Sequence, residues 1–168
     1  MSRLTGSILA ALSVLMTACA GFTPLYAEPG VTAGLQQIEV RAPDTRTGFV
    51  LRGHLEDALG YRREDASTYR LTTQVRERRT PLGSRADDTA TRYELTLTVA
   101  YALTEIRGNR RLHEDIVTVS TTYAAAAQPY AGVVAAEDGS DRAAAQAASL
   151  IREDLARWFA EPAGSRPE

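Results

Sequence analysis

The chain has no lysine, one cysteine, two histidines and no apolar run long enough to span a bilayer. Its 19 basic residues are therefore all arginine, which a GC-rich coding sequence explains. Rigid guanidinium forks would equally suit a phosphate or carboxylate ligand. His54 and His113 lie in separate predicted elements and form no His-x3-His or His-Glu-x2-His pattern, so the usual helical metal motifs are missing. No glycine-rich phosphate loop follows a predicted strand, and Ser140-Asp141 reads as a helix cap rather than a nucleophile. These absences disfavour an enzyme. A formal charge of −2 over 168 residues gives no whole-molecule drive toward nucleic acid.

What is present begins with a three-part leader. Arg3 supplies its positive start, Ile8 to Met16 its apolar centre, and Thr17-Ala18 the small residues before a cut. Ile8 to Ala18 is eleven residues, against ~20 for a spanning helix. Met16-Thr17-Ala18-Cys19 resembles the bacterial lipobox, in which processing makes the cysteine the new N-terminus and acylates it. The expectation is a signal peptide over 1–18, removed, and a lipid-anchored tether over 19–34. Acylation of Cys19 would leave no thiol for a disulfide, a zinc site or a nucleophile. Its covalent lipid would be the only non-protein group, with no cofactor. Loss of residues 1–18 removes one arginine and no acid, moving the formal charge from −2 to −3.

Residues 35–160 read as one α+β domain, followed by a polar tail over 161–168. Gly21, Pro24, Pro29, Gly30 and Gly34 mark residues 20–34 as loop. Leu35 to Arg41 alternates as a first strand. Asp44 or Thr45 can cap a helix to Leu59, with Leu51, Leu55, Ala58 and Leu59 on one face and Gly60 at its C-cap. Gly48 and Gly53 weaken that helix. Tyr69, Leu71, Thr73 and Val75 then share one strand face. Tyr93, Leu95, Leu97, Val99, Tyr101 and Leu103 follow at period two, with polar or small alternates. Residues 79–90 read as a long hairpin loop, Gly108-Asn109 as a turn, and Val117, Val119, Thr121 and Tyr123 as the face of the returning strand. Acids and caps at Glu137, Asp138, Ser140 and Asp141 predict the start of a last helix. Its apolar face would use Ala143, Ala147, Leu150, Ile151, Leu155 (or Asp154) and Trp158. The fold expected is a four-stranded mixed sheet in the order strand-helix-strand-strand-strand-helix, with two helices packed on one face.

Cys19-Ala-Gly-Phe-Thr-Pro-Leu-Tyr26, with this element order and mature length, resembles the LptE-type lipopolysaccharide-assembly lipoproteins. Many members carry the cysteine directly before Gly-Phe-x-Pro-Leu-Tyr, whereas Ala20 intervenes here. The resemblance implies a non-enzymatic protein at the outer membrane that plugs and helps assemble the large LptD barrel and assists lipopolysaccharide insertion. Its partners would be that barrel, lipopolysaccharide, and the inner leaflet of the outer membrane through the anchor. The domain would lie on the periplasmic side or inside the barrel lumen. Ala20, lacking the aspartate that retains many lipoproteins at the inner membrane, agrees with that destination. An auxiliary lipoprotein of another envelope lipid-transport system is the alternative, and a membrane-held periplasmic enzyme a third reading.

Thr96, Thr98, Thr118, Ser120 and Thr122 would present hydroxyls from the polar side of the sheet, either to a wet barrel wall or simply to solvent. Arginines gather at both strand ends. Arg78, Arg79 and Arg85, with Arg76 and Arg92, flank the first hairpin loop; Arg107, Arg110 and Arg111 lie at the opposite end, near Arg62 and Arg63. Either cluster could meet the phosphates and carboxylates of lipopolysaccharide, or be only a solvated tip.

Overall fold

The computed structural model describes residues 29–62, 66–84, 90–125 and 128–162. Cys19, the Gly21–Tyr26 motif, Arg63 and Arg85 lie outside them. The order of elements is α1 (Pro29–Gln36), β1 (Ile38–Arg41), α2 (Arg46–Leu59), β2 (Tyr69–Ser84), β3 (Ala90–Glu105), β4 (Arg110–Ala124) and α3 (Pro129–Ala160). The strands form one sheet in sequence order, β1 parallel to β2 and the rest antiparallel. This is the expected mixed sheet with α2 and α3 packed on it, plus one helix more.

That extra helix corrects the loop reading of residues 29–34 and moves the first strand from Leu35 to Ile38. Pro29 is harmless in a first turn, where its missing N–H has no helical partner. Val31 and Leu35, one turn apart, are both buried, and each such burial contributes roughly 1.5–3 kcal/mol. Tertiary packing thus overrides the glycines.

Helix α2 follows its local signals closely. Thr45 is the N-cap and its hydroxyl accepts from Gly48 N–H at 3.1 Å, while Gly60 closes the helix in the left-handed region at φ 66°. Leu51, Leu55 and Leu59 are buried on one stripe. Gly48 is required there, because a β-carbon would stand 2.2 Å from the Pro43 carbonyl oxygen.

The first hairpin is longer than its composition suggests. Residues 79–84, expected in a loop, continue β2 in unbroken register from Tyr69↔Glu105 to Ser84↔Ala90. Pro81 is tolerated because β1 covers only Tyr69 to Thr72, leaving this stretch of β2 at an edge. Leu71, Leu95, Leu97, Val99, Leu103 and Val119 line the core face. Between β3 and β4 the register shifts at Leu103/Thr104, so His113 faces Leu103 while Leu112 also reaches the core.

Helix α3 starts at Pro129 rather than at the acids of 137–141, which lie within it. An N-terminal proline followed by alanines and valines suffices to begin it. The acids bond sideways instead: Glu137 to Arg46 at 2.9 Å, Asp141 to His54 at 3.0 Å, and Asp138 to Arg142 one turn on. Ser140 donates to Glu77 and caps nothing. An alanine seam at 143, 144, 147 and 148, with Ile151, Leu155, Ala156 and Trp158, is buried, whereas Leu150 from the expected face is 38 % exposed. Among the described residues, no helix is long and apolar enough to cross a membrane.

Candidate functional site

The fold leaves the two sides of the sheet chemically different. Odd-numbered residues of β3 point under the helices and even-numbered ones stay half-buried or exposed. On that open side Thr98 lies opposite Thr118 and Thr96 opposite Ser120, and the Thr96 and Ser120 hydroxyls are 3.2 Å apart. Arg76 and Arg78 join the same side, in register with Thr98 and Thr96. Ala100 and Ala102 keep its middle low.

The arginines expected to act together are divided by this geometry. Arg78 belongs to the open side of β2, but Arg79 projects to the other and clamps Glu77 Oε1 through Nε at 2.9 Å and Nη2 at 2.7 Å. At the opposite end Arg107 sits exposed in the turn between β3 and β4. Arg110 pairs with Glu105 at 3.6 Å and Arg111 with Glu114 at 2.6 Å. Arg110 and Arg111, successive in β4, alternate between the two sides as Arg78 and Arg79 do.

Two carboxylates between sheet and helices carry bonds that the sequence did not announce, although it offers Asp154 as an alternative to Leu155 on the face of the last helix. Glu77 accepts from Thr47 of α2 and Ser140 of α3, both at 3.0 Å, as well as from Arg79, tying one strand to both helices. Burial pulls its carboxyl upward, but the bonds from Arg79, Ser140 and Thr47 outweigh it and hold the group below the usual range. Asp154 of α3 receives Tyr101 Oη at 2.6 Å and His113 Nε2 at 2.5 Å on one oxygen, with Arg157 at 3.3 Å on the other. Burial opposes ionisation there too, yet the Tyr101 and His113 bonds and the charges of His113 and Arg157 keep the carboxyl low. Tyr101 moves the other way: burial, the bond to Asp154 and the Asp154 and Asp115 charges push its phenol well above the ordinary range.

A shallow hollow borders this second group, lined by His113, Asp154, Arg157, Trp158 and Glu161. Trp158 also meets Phe159, which contacts Tyr69. The polar groups are braces between sheet and helix. Among the described residues, no group of three His, Cys, Asp or Glu side chains is placed to hold a metal ion. The one available signal for Asp154 was its position beside the apolar stripe of α3.

Comparison with known proteins matches this architecture to a family. A profile described as "LptE: Lipopolysaccharide-assembly" covers residues 35–159. A Caulobacter crescentus protein, described as a lipoprotein, is 38 % identical with a TM-score of 0.72. That match covers 79 % of this chain and 98 % of the other. Two more distant structures share the fold at 17 % identity. The rare lipoprotein B of Shewanella oneidensis has a TM-score of 0.56 over 73 % of this chain and 96 % of its own. A minor lipoprotein of Acinetobacter baumannii has 0.58 over 73 % and 92 %. None of the curated proteins matches significantly. With the profile spanning the whole sheet, α2 and all but the last residue of α3, the chain belongs to the LptE family of lipopolysaccharide-assembly lipoproteins.

Proposed function

We propose that this protein is an outer-membrane lipoprotein that plugs an LptD-type barrel, aids its assembly and takes part in inserting lipopolysaccharide into the outer leaflet. Members of the family assemble lipopolysaccharide rather than catalyse a reaction. The supporting observation is the two-sidedness of the sheet. One side is sealed by helices and the other presents Thr96, Thr98, Thr118, Ser120 and Thr122 in adjoining rows. The lumen of a large barrel is polar and wet, and hydroxyls can exchange water for its hydrogen bonds without burying charge.

In this reading residues 1–18 are removed and acylated Cys19 holds the chain at the inner leaflet of the outer membrane. The domain then stands on the periplasmic side or within the lumen. Anchoring by two or more acyl chains is stable, at ~0.8 kcal/mol per buried CH2. The arginine groups at the sheet ends are the candidate contacts for lipopolysaccharide phosphates.

Purification of the tagged protein from its native membrane in mild detergent tests the proposal. A stoichiometric large outer-membrane barrel is expected, and its absence would count against the plug. Components of a different lipid-transport complex in its place would establish the auxiliary-lipoprotein alternative. Mass spectrometry of the same sample should find an N-terminal acylated Cys19; a free thiol there would remove the anchor.

A further inference from the structure

One end of the sheet gathers both the start of the described chain and an arginine-rich turn. The carbonyl of Gln37, just after α1, accepts from the Thr68 and Tyr69 amides at 3.1 Å, and the Thr68 carbonyl accepts from Ile106 N–H at 3.0 Å. The turn that follows Ile106 therefore stands two hydrogen-bonded steps from the end of α1. Tyr61, after α2, joins them, its Oη accepting from Ser67 Oγ at 3.4 Å. Arg62, Arg107, Arg110 and Arg111 are all exposed here, and no acid lies between Ile106 and His113. Pairing with Glu105 and Glu114 leaves the Arg110 and Arg111 side chains 71 % and 66 % exposed. Arg110 and Arg111 emerge on opposite sides of the sheet and Arg107 from the turn between the strands, so these charges are spread around the sheet end. Spread cations suit a surface lying across the strand ends, whereas a single phosphate needs donors that converge.

Chain length decides which end of the sheet can lie on a membrane. Pro29 opens an eight-residue helix and so lies ~12 Å from Gln37, at ~1.5 Å per residue. Ten residue steps join Pro29 to Cys19, a span of at most ~36 Å. The hairpin tip is remote, because β2 runs 16 residues from Tyr69 to Ser84, or ~50 Å. Laying the arginine turn on the leaflet that holds an acylated Cys19 leaves chain to spare. Laying the hairpin tip there would need the ten steps drawn almost straight. With the turn on the leaflet, Arg78 stands ~30 Å up the strand, well beyond the ~8 Å over which exposed charges act at physiological salt.

We propose that the turn Arg107–Arg111, with Arg62, lies on anionic phospholipid headgroups of the leaflet that holds the anchor. Each guanidinium can donate two parallel hydrogen bonds to a phosphate, and each cation beside such a surface strengthens attachment about fivefold. Anchor and turn together hold the strands steeply to the membrane and send Arg78, Leu82 and the hairpin tip away from it. The inference rests on acylation of Cys19 and is independent of the barrel.

The acylated protein carrying Gly108→Cys is reconstituted in vesicles and labelled with a fluorophore. With Cys19 acylated, the new thiol is the one available for labelling. A β-carbon at Gly108 meets nothing closer than 3.4 Å, so the turn accommodates it. Thr80→Cys reports the far part of β2 in the same way. In vesicles of phosphatidylcholine and phosphatidylglycerol, quenching by a headgroup spin-labelled lipid should be severalfold stronger at position 108 than at position 80. It should fall in phosphatidylcholine alone, and also in Arg62/Arg107/Arg110/Arg111→Ser, whose folding is checked by thermal melting with circular dichroism. Equal quenching at the two positions, indifference to phosphatidylglycerol, or indifference to loss of the four arginines would overturn the proposal. Quenching confined to vesicles in which lipopolysaccharide replaces phosphatidylglycerol would assign the turn to that other phosphate source and overturn it too. Flotation and mass spectrometry identify a failed anchor separately: an unmodified Cys19 in protein that does not float with the vesicles removes the anchor, and this inference with it.

Discussion

Gly34 lies directly beneath the ring of Phe159: a β-carbon at position 34 would stand 2.7 Å from Cδ1 and Cε1 of that ring. The ring cannot swing aside freely, since Trp158 and Tyr69 meet it edge-on at centroid distances of 4.9 and 5.3 Å. Gly34→Ala should therefore destabilise the protein by about 1–3 kcal/mol, the usual range for overpacking. Urea titration checks this, and Phe159→Leu should recover part of the loss when combined with it. Full stability of the single variant would show that α1 is not fixed against α3.

The two glycines of α2 should respond with opposite signs. Nothing lies within 4 Å of a β-carbon at Gly53, so Gly53→Ala should gain about 1 kcal/mol from helix propensity. Gly48→Ala drives a methyl into the Pro43 carbonyl and should cost about 2 kcal/mol. Melting temperatures that move the same way in both variants would contradict the packing at the start of α2.

Glu77 and Asp154 make the fold sensitive to acid. Both carboxyls sit lower in the folded chain than in the unfolded one. Their contribution is complete above the ordinary carboxylate pKa, about 4, and fades as pH falls through the folded values. Urea midpoints should therefore be level in this respect near neutrality and drop below about pH 4. Asp154→Asn and Glu77→Gln should each cost about 1.5–3 kcal/mol at pH 7, typical of hydrogen bonds to a charged group, and should flatten the acid slope. An unchanged slope in the double variant would assign the pH dependence elsewhere.

The arginine groups can be separated by binding. Arg107/Arg110/Arg111→Ser and Arg78/Arg79/Arg85→Ser, assayed against purified lipopolysaccharide, should differ. The first triple is expected to lose more, because Arg107 stands exposed in the turn whereas Arg79 is held against Glu77 by two bonds. Undiminished binding by both would end the idea of head-group contact at either end.

Much of this fold could be read from local signals, and the exceptions have physical causes. Thr45, Gly60 and the stripe Leu51, Leu55, Leu59 announce α2 because capping and periodicity act within a few residues. The period-two run from Tyr93 to Leu103 does the same for β3. Helix α1 was hidden because its stability comes from burying Val31 and Leu35 against distant residues. The acids at 137–141 suggested a helix start because the partners they bond, Arg46 and His54, are remote in sequence. For the same reason the bracing by Asp154 was invisible: Tyr101, His113 and Asp154 meet only after the sheet is formed and α3 is laid across it. Family membership was legible in the stretch after Cys19, which lies outside the described residues, whereas the arginine clusters were named without their facing.

The unbroken register between β2 and β3 also bears on how the chain acquires its shape. Once Ser84 meets Ala90, each further pair down to Tyr69 and Glu105 closes only a small additional loop, so this hairpin can zip from its tip without a long search. β4 can join by a second short turn. β1 is different, because its parallel pairing with β2 spans α2 and the chain up to Tyr69. The order implied is meander first, then α3 from the C-terminal side, with α1 and β1 closing last around Phe159. A chain emerging N-terminus first would then hold its opening residues in waiting until its final helix arrives.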